Sequence, residues 1–256
     1  MAKTNNLTDF LTSLAAKFRA KLGTSGTINP QDFESKVDAV LDAGKKSEYD
    51  AFWDAYQSNG TRTDYSNAFS GKCWTQTILK PKYTVRPVDA RNMFYISTGI
   101  TDLTLTGKFD FSEVTEITDC MAWSSVTKVP SINLSNARSS PHAIAKARSL
   151  VTVENLIFPT SPFTVNCSDF FYLCYALENI TITGTIQNTG FDLHWSTKLT
   201  IESLTSILTA LSKNSSVAAG KSITFPTAAQ AKIQADTTAK GQYDAAIAAG
   251  WTIAFS

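Results

Sequence analysis

The chain has 256 residues, 43% hydrophobic and 18% charged, which is typical of a globular protein and excludes a disordered one. Lysine and arginine (23) balance aspartate and glutamate (22), so the net charge is +1 and we expect no nucleic-acid partner. No apolar run approaches the roughly 18 residues that span a membrane. The polar amino terminus lacks the apolar core of a signal peptide, which predicts a protein made in the cytoplasm.

Residues 1–58 carry three helical patterns. Apolar side chains recur at helical spacing within 7–22, 30–44 and 49–56, and glycine or asparagine marks the helix ends. Large apolar side chains that need burial are frequent for helices this short; they include Phe10, Phe18, Phe33, Phe52 and Trp53. We therefore expect residues 1–58 to be an attachment or oligomerisation segment.

One short apolar pattern occurs four times between residues 93 and 198. The first copy is Ile100-Thr-Asp-Leu103-Thr-Leu105, the last begins at Leu177, and looser copies begin at Val126 and Leu150. These four anchors are 26, 24 and 27 residues apart. Each has an apolar partner six residues upstream: Phe94, Cys120, Ile144 and Phe171. This pattern predicts a leucine-rich-repeat solenoid, whose units stack and share a core; the alternative is four unrelated strands of an ordinary β-fold.

The segments on either side of the repeats predict caps. Residues 59–92 are irregular and contain Trp74 and Tyr83, which are large enough to cover the first repeat. A helix–strand–helix–strand pattern in 199–256 predicts an α/β cap at the other end. The predicted fold class is therefore α/β: a short leucine-rich-repeat-like solenoid at 93–198, with an N-terminal helical segment and an α/β C-terminal cap.

The last copy resembles the BspA-type leucine-rich repeat, whose units place an aromatic residue six positions and a cysteine three positions before the anchor leucine. Phe171 and Cys174 stand at those positions before Leu177. In the other units the cysteine position is held by Ser97, Trp123 and Ala147. The resemblance implies a solenoid and brings no catalytic residues with it.

The flanking segments are similar to proteins encoded by phages and prophages of gut bacteria. This resemblance is carried by residues 21–33, 49–56 and 190–199. It implies a non-enzymatic structural and adhesive component of a tail or head appendage, located in the virion and attached to other virion proteins through its N-terminal helices. It also implies a homo-oligomer, with a trimer favoured. The alternative is a bacterial surface adhesin or effector that uses the same repeat.

The sequence contains no recognised catalytic or metal-binding motif. Its two histidines, His142 and His194, are each a candidate base, but a polar surface role is the simpler interpretation. The four cysteines form no C-x-x-C pair, so we expect no metal site and no cofactor. A bridge between Cys167 and Cys174 stays open, although none is expected without a secretion signal.

Solvent-facing positions of the repeated strands provide a candidate binding surface. Because side chains alternate along a strand, the residues between the apolar positions point outward. They are Asp102, Thr104, Lys128, Thr152, Asn179, Thr181 and Thr183. Such a row, rich in hydroxyl groups, is suited to hydrogen bonding with a host-surface glycan or a protein loop; the alternative is ordinary β-surface threonine.

Overall fold

The computed structural model describes residues 14–17, 19–20, 60–73, 81–138, 140–159, 167, 169–187, 193–214 and 221–256. The chain divides into two compact units, Met1–Ser58 and Asn59–Ser256. In the first unit, residues 14–17 and 19–20 are helical. The rest of the predicted N-terminal helices lies outside the described residues, as does Trp74.

A four-stranded parallel sheet lies in the second unit. Its central strand, β3 (Thr152–Ile157), pairs with β1 (Lys128–Val129), β2 (Ile132–Asn133) and β4 (Asn179–Thr183). Side chains of β4 alternate between exposed and buried, so one face of this strand packs on the core. A 3-10 helix, Leu134–Asn136, follows β2 directly.

Isolated parallel bridges extend the same pairing to earlier parts of the chain. Paired residues lie between 21 positions apart, as for Phe111 with Ile132, and 27 positions apart, as for Asp89 with Glu116. Asp102 bridges to Lys128 at the start of β1. The pairing register therefore follows the spacing of the sequence pattern even where no strand forms.

The predicted leucine-rich-repeat solenoid is nevertheless wrong: the described residues form a mixed α/β fold with few strands. β1 and β2 have two residues each, and Pro130 lies between them without the N–H that a continuous ladder would need. The first predicted copy contributes an isolated bridge instead of a strand. Its last apolar residue, Leu105, is 62% exposed, because the backbone turns there and the N–H of Gly107 donates to the carbonyl of Thr104.

The repeated pattern identifies buried positions correctly. The four anchors and their four upstream partners are all fully buried. Phe94 lies between two further rings, stacked on Phe69 at 4.8 Å between centroids and edge-on to Phe109 at 5.8 Å. The core of the second unit is therefore built from the same residues that define the pattern.

Between the residues joined by parallel bridges, the chain forms turns that stack on one another. Each turn holds two residues with positive φ, four positions apart, with φ between 51° and 62°. The pairs are Asn92 and Ile96, Asp119 and Trp123, His142 and Lys146, and Asp169 and Leu173. Backbone N–H groups of one turn donate to carbonyls of the next: Ile96 to Ala122, and Trp123 to Ala145. Equivalent residues of successive turns consequently form columns.

The carboxy-terminal part contains three α-helices and a two-stranded sheet in the order that its sequence pattern predicts. Helix α1 (Ile201–Ser212) is followed by β5 (Ser222–Phe225), α2 (Thr227–Ala235), α3 (Thr237–Ala248) and β6 (Thr252–Phe255), and β5 and β6 are parallel. The predicted single helical stretch is divided at Asp236, which caps α3. None of the described helices is long and apolar enough to cross a membrane.

Helix α1 covers the outer edge of β4 with two serine side chains. The N–H of Ile180 donates to Ser203 Oγ at 2.9 Å, and the N–H of Ile182 donates to Ser206 Oγ at 2.8 Å. An uncovered edge strand would expose these donors to pairing with another chain. The helix thus ends the four-stranded sheet without a further strand.

Candidate binding groove

Four of the predicted binding residues form one row across the sheet. Asp102 pairs with Lys128, Lys128 with Thr152, and Thr152 with Asn179. Asp102 is only 9% exposed. Its carboxylate accepts hydrogen bonds from the N–H and the hydroxyl of Thr104, at 2.8 and 2.6 Å, and lies 3.7 Å from the ammonium of Lys128. Contrary to the prediction, Asp102 therefore does not face solvent.

The other predicted residues lie farther along β4. Thr181 and Thr183 are exposed, as the alternation predicts. Thr183 donates its hydroxyl hydrogen to Asn155 Oδ1 at 3.0 Å, so part of its hydrogen-bonding capacity is already used. The register between β3 and β4 shifts beside Thr181, between Val153 and Leu156. Ligand binding by this row stays a prediction.

A concave site is present on the stacked turns instead. We call it the turn groove; its volume is about 470 Å³. The side chains that give it chemical character are Asp119, Trp123, His142, Lys146, Asp169 and Tyr172. They come from three successive turns, and five of the six, all but Tyr172, have positive φ. The groove therefore lies along the columns that the stacking creates.

One wall of the turn groove is polar. His142 stands between two carboxylates: its Nδ1 is 3.9 Å from Asp119 Oδ1, and its Nε2 is 3.5 Å from Asp169 Oδ2. All three side chains are partly open to solvent, with His142 49% exposed. Each carboxylate has more acceptor capacity than one imidazole uses. The wall can accordingly accept hydrogen bonds from a ligand.

A second part of the lining combines aromatic rings with cations. The ammonium of Lys146 lies 4.6 Å from the ring centroid of Trp123 and 5.8 Å from that of Tyr172. The guanidinium of Arg148 lies 5.8 Å from the Trp123 ring and 5.9 Å from the Tyr175 ring. These distances are those of cation–π contacts, which hold the cations against the rings.

The aromatic wall continues beyond the groove. Tyr175 meets Trp195 edge-on at 5.6 Å, and Tyr172 meets the same indole at 6.3 Å. His194, the second candidate base, packs against Trp195 at 4.3 Å. Trp123 and Tyr175 are 45% and 39% exposed. A run of partly exposed rings of this kind is a feature of binding surfaces.

Trp123 and its neighbour in the same column occupy a strained backbone conformation. Trp123 has φ of 61° and Ile96 has φ of 53°. Asparagine and aspartate tolerate this region, whereas bulky and β-branched residues rarely adopt it. The conformation costs about 1–2 kcal/mol per residue, and both side chains remain about half exposed, so burial does not offset it. Strain of this kind is concentrated at functional sites.

The sequence interpretation misplaced Trp123 by one residue. It assigned Trp123 to the buried position held by Cys174 in the last unit, but Ser124 occupies that position. The N–H of Ser124 donates to the carbonyl three residues before it, as the N–H groups of Ser97 and Cys174 do. Ser124 is buried, and Trp123 is consequently turned outward. The polar wall could have been predicted from the spacing of Asp119, His142 and Asp169 along the chain.

Three of the four cysteines, Cys120, Cys167 and Cys174, are buried. Cys174 is a free thiol, so it is not bridged to Cys167, and its Sγ donates to the carbonyl of Ile144 at 3.3 Å. Burial raises the pKa of the Cys174 thiol to about 12, which keeps it protonated at neutral pH. Burial also raises the pKa of Cys120. Within the described residues, no group of histidine, cysteine and acidic side chains is arranged to hold a metal ion.

No protein-family model, curated protein or solved structure matches this chain. The turn groove is therefore interpreted from its own chemistry.

Proposed function

We propose that this chain is a non-enzymatic binding protein that attaches to a surface glycan through the turn groove. The observation that carries the proposal is the pairing of an exposed aromatic wall with a wall of hydrogen-bond acceptors. Aromatic rings pack against the C–H faces of sugar rings, and carboxylates accept hydrogen bonds from sugar hydroxyls. The volume of about 470 Å³ lies within the usual range of ligand sites.

The environment of His142 does not support hydrolysis through a side-chain nucleophile. A histidine that activates a nucleophile lies within hydrogen-bonding distance of a hydroxyl or thiol group. In the described part of the chain, the charged partners of His142 are the two carboxylates of the polar wall, and no serine, threonine or cysteine side chain bonds to its ring. This arrangement positions acceptors for a ligand rather than a nucleophile.

We further propose that the protein belongs to a phage or phage-like particle. The support is the resemblance of the flanking segments to phage and prophage proteins. On this proposal, residues 1–58 attach the chain to other virion proteins and residues 59–256 carry the groove. Mass spectrometry of purified particles should then detect this chain, and its absence from particles whose other components are found would contradict the assignment.

The binding proposal is tested on a glycan array with the full chain and two variants. Trp123→Ala removes an exposed ring of the groove, and Leu105→Ala removes an even more exposed apolar side chain outside it. We expect at least one glycan to bind, with affinity reduced about tenfold or more by Trp123→Ala and unchanged by Leu105→Ala. Equal binding by both variants, or no glycan bound at all, would show that the turn groove is not a glycan site.

A further inference from the structure

Two cations stand beside the turn groove without a carboxylate partner. In the described part of the chain, Lys146 and Arg148 make no ion pair; aromatic rings are what they contact. Elsewhere in the second unit, Arg86 is neutralised by Asp110 at 2.9 Å. A cation held on a ring keeps its charge and most of its N–H donors for another molecule.

The two cations are held beside the aromatic rings of the groove. Lys146 is itself a lining residue and carries positive φ, and its ammonium bridges the rings of Trp123 and Tyr172. Arg148 lies two residues farther along, between the rings of Trp123 and Tyr175. Both cations thus border the aromatic wall, Lys146 as a lining residue of the groove and Arg148 beside its Trp123 ring.

This division of charge selects among ligands. An anionic group is attracted to the aromatic wall by Lys146 and Arg148, and the planar guanidinium matches a carboxylate with two parallel hydrogen bonds. The polar wall, with Asp119 and Asp169, repels anions and accepts hydrogen bonds from hydroxyl groups. A ligand that satisfies both walls carries isolated negative charges among many hydroxyls.

Resting on the glycan-binding function above, we propose that the ligand is an acidic glycan whose sugar carboxylate pairs with Lys146 and Arg148. One sugar ring packs on Trp123 while its hydroxyls donate to Asp119 and Asp169. Densely charged polyanions fit less well, because consecutive phosphates or sulfates would lie against the polar wall. The net charge of +1 provides no general attraction for them.

The test compares the same glycan with and without its charge. The probes are an oligogalacturonate and its methyl ester, an oligomannuronate and its carboxyl-reduced form, and sialyllactose and lactose. Binding to the full chain is measured by calorimetry at low and high salt. We expect at least one acidic probe to bind about tenfold or more tightly than its neutral counterpart, with the difference shrinking as salt screens the charges.

Variants that lack one of the two charges test whether Lys146 and Arg148 cause the preference for the acidic probe. Lys146→Met and Arg148→Met keep the apolar stem and remove the charge; Lys213→Met, at an exposed lysine outside the groove, is the matched control. We expect the first two variants to abolish the preference for the acidic probe and the control to retain it. Near-UV circular dichroism verifies that all three variants are folded.

Three results would overturn the inference. The first is equal binding of each acidic probe and its neutral counterpart. If a neutral glycan then still binds in a way that depends on Trp123, the proposed glycan-binding function stands and only the acidic ligand is excluded. The second is an acidic preference that Lys146→Met and Arg148→Met leave unchanged. The third is tighter binding of dextran sulfate or single-stranded oligothymidylate than of any acidic sugar, which would indicate a general polyanion site.

Discussion

Substitution of Phe94 by alanine tests the packing of the second unit directly. Phe94 is fully buried, stacked on Phe69 at 4.8 Å with 16° between the rings and edge-on to Phe109 at 5.8 Å. A buried phenyl group removes roughly 150–200 Å² of apolar surface from water, which corresponds to about 4 kcal/mol at about 25 cal/mol per Å². Measured Phe→Ala changes in cores, about 3–5 kcal/mol, agree with this value.

We therefore expect Phe94→Ala to lower the free energy of unfolding by about 4 kcal/mol. A natural domain has a total stability of roughly 5–15 kcal/mol, so the substitution removes between about a quarter and four fifths of it. Urea unfolding followed by circular dichroism and by tryptophan fluorescence measures the change. For a unit of this size the thermal midpoint falls by roughly 2–4 °C for each kcal/mol, or about 8–16 °C in total.

The matched control is Leu105→Ala, at a leucine that is 62% exposed. Surface substitutions of this kind change stability by less than about 0.5 kcal/mol. A double-mutant cycle of Phe69→Leu and Phe94→Leu should give a coupling of about 0.5–1.5 kcal/mol for the stacked pair. A loss below about 1 kcal/mol for Phe94→Ala, or no coupling to Phe69, would refute the described packing.

Three further predictions concern the backbone, a helix cap and the cysteines. Gly184→Ala should destabilise the fold by about 3 kcal/mol or more in urea titrations, because the added Cβ would lie 2.0 Å from the carbonyl oxygen of Phe158. Gly107→Ala is the control: its Cβ would meet nothing within 4 Å, so the substitution should cost only about 1–2 kcal/mol for the positive φ. Asp236→Ala should cost about 1 kcal/mol and Asp236→Asn much less, because this carboxylate accepts a 2.8 Å hydrogen bond from a first-turn N–H of α3; equal losses would contradict the cap. Of the four cysteines only Cys73 is exposed, so a thiol reagent at pH 8 should titrate one thiol in the folded chain and four in urea.

The apolar pattern was enough to predict that its anchors and their upstream partners are buried. Ile100, Val126, Leu150 and Leu177 are fully buried, and α1, β5 and β6 lie where their local patterns predict. Burial can be predicted this way because the alternation of apolar and polar residues depends on the local geometry of strand and helix. The same pattern did not establish a leucine-rich-repeat solenoid. Periodicity predicts which residues are buried, but it contains no information about whether the backbone hydrogen bonds between neighbouring strands continue from one residue to the next.

The tertiary structure decided where the first copy leaves the sheet and which side of a turn a residue faces. Leu105 matches the pattern but lies in solvent after a turn, and Trp123 faces outward because Ser124 takes the buried position. A shift of one residue exchanges the inside and the outside of a chain with alternating side chains. No local signal in the sequence distinguishes these registers.

The turn groove depends on stacking and could not be predicted from any single segment. Asp119, His142 and Asp169 are 23 and 27 residues apart in the chain, and hydrogen bonds between successive turns bring them into one wall. The sequence by itself determined the residue types that are present: acids, a histidine, cations and aromatic rings. Only the stacked backbone placed the carboxylates on one side and Lys146 with Trp123 on the other, because contacts between distant residues depend on how the whole chain packs.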